Sequence, residues 1–386
     1  MMSLAQGTWV AGLLVCGMGV AVLGSMKVAL ARRLEIDEAR VGGLVSMFGF
    51  AMIPVMLVMG FLTDLLDKQM VVVAGSLLMT ASLVILSRGR SYWSALLAVV
   101  LLSAGWSGLV NVLNVLMQAT FGGGPTYAMN LGNFFFGLGA FLTPLAVMFL
   151  LRNAGFVPAT LALAVAALLP GVLALRTDFP SLAGSAVQQQ AGPGIEVLLT
   201  DPILWLTALA LLFYAPMEAT MAAWATTYLG EKRVSETMAS TMLSAFWLAF
   251  MVGRLGTALS VTAFPLTAAA TNTLILGLSL GCVLVWAGIA LTTSRGLACG
   301  LVVLAGLAFG PTFPTIIGVL TGHVHPAVAG RAVGLFFMVG GIGWSVIPIL
   351  IGAYARRTSV QKGFLIAVAS AAGLTLTAVA LRPLMH

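Results

Sequence analysis

Long apolar runs such as Val71–Leu86 and Leu161–Leu175, separated by short polar punctuation, dominate the chain. A membrane-spanning β-strand alternates with period two over about ten residues. These runs are longer and lack that alternation, and about 20 apolar residues suffice for a helix to cross a bilayer. The pattern predicts spans at 8–32, 39–63, 69–87, 93–119, 127–151 and 155–176 in a first half. A second half follows at 202–229, 236–260, 267–292, 296–320, 329–355 and 362–382. Most connections are short, so successive spans run antiparallel. The longest polar stretch, Thr177–Asp201, contains Gln188-Gln189-Gln190 and Gly192-Pro193-Gly194 and separates six spans from six. Within it, Ile195–Leu199 is expected to form a short surface helix.

Composition agrees with this reading. Of 386 residues, 60% are hydrophobic and 8% charged, with a mean hydropathy of +1.09. A soluble domain carries about a quarter of its residues as charged groups, so lipid must cover much of this surface. The net charge of +7 comes from Lys and Arg scattered singly between spans, which excludes a nucleic-acid stripe. Cys16, Cys282 and Cys299 fall in apolar segments without metal-ligand spacing and read as small core residues. No Lys or Arg precedes the first apolar run, so a cleaved signal peptide is not expected. A nucleotide-binding loop, a metal cluster and a catalytic triad are all missing from the pattern, so neither an enzyme nor a cofactor is expected.

The halves share punctuation. Span two ends Gly60-Phe61-Leu62-Thr63-Asp64 and span eight Gly253-Arg254-Leu255-Gly256-Thr257. They are preceded by Ile36-Asp37-Glu38-Ala39-Arg40 and Val234-Ser235-Glu236-Thr237-Met238. Gly60, Asp64 and Lys68 after the second span resemble the signature loop of the major facilitator superfamily. The resemblance implies an all-α membrane protein of about twelve transmembrane helices in two pseudo-symmetric six-helix bundles. Residues 1–176 form the N-terminal bundle, 177–201 a cytoplasmic interdomain linker and 202–386 the C-terminal bundle. Gly60 would permit close helix approach, and Asp64 would cap or pair between the two halves, helping to hold an outward-open state. Leu65, Asp67 and Gln69 depart from the basic, glycine and basic residues usual in this loop.

Shorter stretches resemble the fucose–galactose–glucose symporter branch: Asn130–Ala140, Tyr214-Ala215-Pro216-Met217-Glu218, Phe246-Trp247 and Gly253-Arg254. The coupling carboxylates of fucose permeases in spans one and four align near Ser25–Lys27 and Val110–Asn111, where nothing is acidic. Coupling through those two positions therefore does not carry over.

A charge at the bilayer centre costs at least about 2.5–3.5 kcal/mol, which makes each intramembrane ionisable residue a functional candidate. Glu218, beside the helix-disturbing Pro216, reads either as a protonatable cavity carboxylate or as a bundle carboxylate satisfied by a neighbour. Lys27 either snorkels to the interface or faces a cavity, where it would bind an anion or pair with Glu218. Arg254 reads as a gate residue, and His323 and His325 as solvated loop residues. Asn111, Asn114 and Gln118 share one helical face and need polar partners, from a wet cavity or from neighbouring helices. Thr312 lies in the Gly310-Pro311-Thr312-Phe313-Pro314 run that breaks span ten, and Tyr214, Trp224 and Trp344 offer faces for a sugar ring.

Lys and Arg are unevenly placed, with twelve in loops after odd spans and five on the other side. By the positive-inside rule this puts the termini outside, whereas the resemblance implies cytoplasmic termini and an inner-membrane, multi-pass location. A basic outer mouth would attract anions. The expected function is secondary transport of a small polar solute, a sugar first, with Glu218 as the proton-coupling residue. A carrier of organic anions or amphipathic compounds, and a non-transporting sensor, are the alternatives. The expected partners are the substrate, the lipid bilayer and a coupling proton, with the chain acting as a monomer.

Overall fold

The computed structural model describes residues 3–179 and 194–385. The first half contains α1 (Leu4–Ser25), α2 (Lys27–Leu34), α3 (Glu38–Leu65), α4 (Lys68–Arg88), α5 (Tyr92–Val115), α6 (Met117–Phe121), α7 (Pro125–Ala154) and α8 (Phe156–Ala174). The second contains α9 (Ile195–Leu199), α10 (Pro202–Glu231), α11 (Glu236–Ala263), α12 (Ala268–Leu291), α13 (Arg295–Phe309), α14 (Thr312–His323), α15 (Ala329–Ala355) and α16 (Val360–Leu381). With α13 and α14 taken as one span, twelve helical segments among the described residues are long and apolar enough to cross a membrane. The chain is therefore a multi-pass membrane protein. The short helix expected at Ile195–Leu199 is present as α9; the Gln188-Gln189-Gln190 run lies outside the described residues.

Local chemistry sets the ends of these helices. Ser3, Asp37, Ser91, Asp201, Ser235, Thr267, Ser294 and Ser359 each accept a hydrogen bond from a first-turn N–H, which satisfies donors that the helix itself leaves open. Span one is split at Met26 and span four at Leu116, both with φ −98° and ψ 3°. Backbone hydrogen bonds run on across each split, from Met26 N–H to Val22 and from Leu116 N–H to Val112. The break expected in span ten falls between Phe309 and Thr312. At Pro216 the structure differs from expectation, because α10 continues unbroken from Pro202 to Glu231. Proline withholds its N–H from the carbonyl four residues back, here that of Leu212. Gly343 of α15 packs against that carbonyl, so close that a Cβ there would lie 2.1 Å from the oxygen.

Contacts divide the chain into two compact units. The first comprises Met1–Gly122, Phe135–Leu198 and Val324–Met338; the second comprises Gly123–Phe134, Leu199–His323 and Val339–His386. In the first unit α4 packs against α5 and α8, with α3 against α5. In the second, α11 packs on α13, and α16 on α10 and α12.

The α11–α13 crossing depends on a small residue. A Cβ on Gly306 would lie 2.2 Å from the Phe246 carbonyl and 2.9 Å from the Phe250 nitrogen, both main-chain atoms that cannot yield. Overpacking of a fitted interface costs about 1–3 kcal/mol. Gly306→Ala is expected to lower the apparent melting temperature of the detergent-solubilised protein. Gly277→Ala, which faces open space in the same unit, should leave it unchanged; equal melting temperatures for the two variants would contradict this crossing.

Candidate functional site

Two polar clusters stand out, one in each unit. In the first, the carboxylate of Asp64 near the end of α3 meets the start of α15. Oδ1 accepts the Gly330 N–H at 2.7 Å, and Oδ2 accepts the Arg331 N–H at 3.0 Å and Arg331 Nε at 2.8 Å. These main-chain donors belong to the first turn of α15, where unpaired N–H groups and the helix dipole favour an anion. Asp64 thus caps a helix of the second half while pairing with its Arg331, and its side chain is only 3% exposed. Asn111 Nδ2 donates to the Gly330 carbonyl at 3.1 Å, which fixes the other side of the same residue. The amide is fully buried.

Glycine makes the approach possible. A Cβ on Gly60 would lie 2.6 Å from the Gly330 carbonyl, and one on Gly334 2.6 Å from the Met56 carbonyl. Gly330 and Gly334, four apart on α15, form the small-residue spacing that lets membrane helices touch. That spacing is visible in the sequence, but it recurs at Gly306 and Gly310 against another helix and so does not by itself name Gly60 as the partner. Lys68 donates to the Thr63 carbonyl beside Asp64. Arg331 also donates to the Ala327 carbonyl at 3.1 Å and lies over the Phe61 ring.

The second cluster lies where span ten breaks. Pro314 has no N–H to offer the Gly310 carbonyl, and Arg254 of α11 supplies one from Nε at 2.9 Å. Its Nη1 donates to the Asn133 carbonyl at 2.8 Å, and its guanidinium sits 4.1 Å from the centre of the Phe250 ring. Arg254 is 2% exposed; two main-chain carbonyls and an aromatic face partner the cation there. Tyr214 of α10 brings its hydroxyl 2.9 Å from the Phe309 carbonyl and 3.1 Å from Glu218 Oε2. Its ring stacks on Phe313 with centroids 6.4 Å apart. Glu218 is half-buried, within electrostatic range of Arg254.

The other nominated residues distribute as follows. Thr312 is fully buried and its hydroxyl donates back to the Ala308 carbonyl. Asn114 donates to the Val110 carbonyl, and its buried Oδ1 has no donor among the described residues. Leu116 interrupts the helix between Asn114 and Gln118; Gln118 is half-buried on α6. Lys27 is half-buried immediately after the Met26 split. Trp224, half-buried, packs against Gly352, and Trp344 is half-buried on α15. The structure therefore joins Asp64, Gly60 and Asn111 in one cluster and Tyr214, Glu218 and Arg254 in another. None of the nominated residues lines the open pocket of about 470 Å³ bordered by Pro125, Thr126, Gly318, Gly322 and His323.

Three further residues make contacts that the sequence alone does not indicate. Asn130 donates to the Thr315 hydroxyl at 3.3 Å and to the Thr126 carbonyl at 2.9 Å. His323, expected to be solvated, is 42% exposed at the end of α14 and also brings Nε2 to 3.0 Å from Asp201 Oδ2. His325 accepts the Ala327 N–H through Nδ1. Only the α10 capping role of Asp201 has a local signal, in the Asp-Pro pair that opens the helix.

A family model described as Major Facilitator Superfamily matches residues 9–348. The yeast Saccharomyces cerevisiae protein "Bypass of stop codon protein 6" is 29% identical over 182 residues, which is 45% of this chain and 36% of that protein. The chain thus spans about a third of the length of the curated relative it matches. Among solved structures, an E. coli fucose:proton symporter superposes with a TM-score of 0.80 at 16% identity, covering 96% of this chain and 97% of that one. A human organic anion transporter gives 0.76 at 15% identity, covering 96% and 98%. At such identities the likeness is one of fold.

The Asp64 geometry ranks two substitutions. Asp64→Ala removes the charge, the cap and the ion pair together, and breaking a buried pair costs about 3–5 kcal/mol. Arg331→Ala leaves the two main-chain bonds to Asp64 in place. Amide hydrogen exchange at Gly330 and Arg331 should rise strongly in Asp64→Ala and much less in Arg331→Ala. Equal rises would show that the ion pair, and not the helix cap, dominates.

Proposed function

Since the chain belongs to the Major Facilitator Superfamily, we propose that it is a secondary transporter of a small polar solute, with a sugar as the leading substrate class. Two six-helix bundles, residues 1–176 and 202–386 joined by 177–201, would rock about a central site. The observation that carries this reading is Glu218, a half-buried carboxylate inside a membrane span whose Oε2 meets a tyrosine hydroxyl and, among the described residues, forms no direct ion pair, with Arg254 within electrostatic range. An intramembrane carboxylate so held is able to take up and release a proton, or to accept hydrogen bonds from a polyol, without dismantling a structural ion pair. Trp224 and Trp344, both half-buried, supply aromatic faces for a sugar ring. The fold shared with a fucose:proton symporter supports the same choice.

The Asp64 cluster serves this function as a latch. It joins a first-half helix to a second-half helix through hydrogen bonds and one ion pair, with glycines at the contact. Such a contact separates and re-forms without leaving large apolar side chains exposed. Gly60, Asp64 and Arg331 are its principal elements, and Arg254 holds the second cluster.

One observation favours a second reading, a carrier of organic anions. Twelve Lys and Arg lie in or beside the connections that follow odd spans, against five on the other side, of which Arg254 is buried in α11, and Lys27 sits half-buried at the Met26 split. The fold is also shared with a human organic anion transporter.

Ligand-dependent thermal stabilisation separates the two, because a ligand raises stability in proportion to occupancy. Neutral sugars are expected to raise the melting temperature of the wild type, and Glu218→Gln to remove the shift. Stabilisation by small organic anions alone, lost in Lys27→Ala, would replace the sugar reading with the anion reading. Uptake that is pH-independent and unchanged in Glu218→Gln would remove Glu218 as the coupling group.

A further inference from the structure

We propose that the Tyr214 hydroxyl is a one-proton switch connecting Glu218 to the break in span ten, so that deprotonation of Glu218 frees the Phe309 carbonyl. The proposal rests on the reading of Glu218 as the proton-coupling carboxylate.

A tyrosine hydroxyl donates one hydrogen bond, and Tyr214 has two acceptors within reach, Phe309 O at 2.9 Å and Glu218 Oε2 at 3.1 Å. Both contacts are satisfied together only when Glu218 carries a proton. Glu218 then donates to the tyrosine oxygen, and Tyr214 donates to Phe309. When the proton leaves Glu218 for water or for a passing substrate, the remaining carboxylate is the stronger acceptor. The tyrosine proton turns to it, and the Phe309 carbonyl loses this donor. No covalent bond changes except the O–H bond of Glu218.

The position of Phe309 gives the switch a consequence. Phe309 is the last residue of α13, and α14 begins at Thr312. Pro311 and Pro314 have no N–H to offer the carbonyls of Leu307 and Gly310, so the break depends on donors from neighbouring helices. Arg254 Nε holds Gly310 O at 2.9 Å. A guanidinium has only donors and keeps its proton, which makes that bond the fixed one. Tyr214 provides the variable one. Of the other ionisable groups, Arg254 faces both Glu218 and Tyr214 from α11, and Cys282 faces Tyr214 from α12. Tyr214 is accordingly a positioning residue: it passes the state of Glu218 to the hinge.

The test is hydrogen exchange with mass spectrometry on the full chain in lipid nanodiscs, following peptides across 304–316 from mildly acidic to mildly alkaline pH. Rates are corrected for the chemical pH dependence of exchange. In the wild type, exchange at the break should rise about tenfold as pH increases, the effect of losing one hydrogen bond. Tyr214→Phe keeps the ring on Phe313 but has no proton to give, so its exchange should be pH-independent at the high level. Glu218→Gln, whose amide donates permanently to the tyrosine oxygen, should be pH-independent at the low level. A wild-type-like pH response in Tyr214→Phe would overturn the switch, and if Glu218→Gln were still flat, Glu218 would remain the coupling group acting by another route. A pH response surviving in both variants would overturn the switch and the Glu218 reading together.

Discussion

The hydrocarbon of a bilayer completes no hydrogen bond, and the polar clusters of this structure answer to that constraint. At the start of α15 and at the break in span ten, the polar groups that the helices leave open are met from neighbouring helices. The first turn of α15 is met by Asp64, and the Gly310 carbonyl that Pro314 cannot serve is met by Arg254. Where a carbonyl is left by Pro216, a glycine Cα packs on it. The polar residues of this chain are few, and those that matter stand at breaks and at starts of helices.

This distribution explains how one molecule can be rigid within its clusters and still capable of change. Apolar packing fixes which helices neighbour one another, but it carries no charge and no proton. Asp64, Arg331, Tyr214, Glu218 and Arg254 do carry them. Asp64 and Arg331 bind a first-half helix to a second-half helix, and Tyr214 and Arg254 bind spans seven and eight to the broken span ten. A transport cycle of the kind proposed needs contacts that hold one state and release it on a modest signal, and hydrogen-bonded clusters seated on glycine crossings meet that requirement.

Much of the fold was legible in the sequence because long apolar runs and proline pairs are unambiguous. The spans, the short helix at Ile195–Leu199 and the break after Phe309 all lie within a few residues of expectation. The splits at Met26 and Leu116 were not legible, since both residues are apolar, no proline stands at either, and Gly24 near the first is one of many glycines in the spans. Pro216 gave a false signal of disturbance: its effect depends on whether another helix can approach the freed carbonyl, and Gly343 does. Of the candidate residues, Asp64 was legible through its loop, whereas the bond of Asn111 to Gly330 was not. A buried amide advertises a need for partners, not their identity, and here the partner lies 219 positions away. His323 shows the same limit, because its pairing with Asp201 spans 122 positions.

The central claim is that this chain moves a small polar solute in exchange for, or together with, a proton handled at Glu218. The most direct measurement is uptake of labelled sugars into proteoliposomes containing the purified protein, with and without an imposed pH gradient. The account predicts accumulation of a neutral sugar above its external concentration when the gradient is present, collapsing when a protonophore dissipates it. Saturable binding of a ligand with no flux of any solute, under a gradient of either direction, would contradict it and identify a receptor built on a transporter fold.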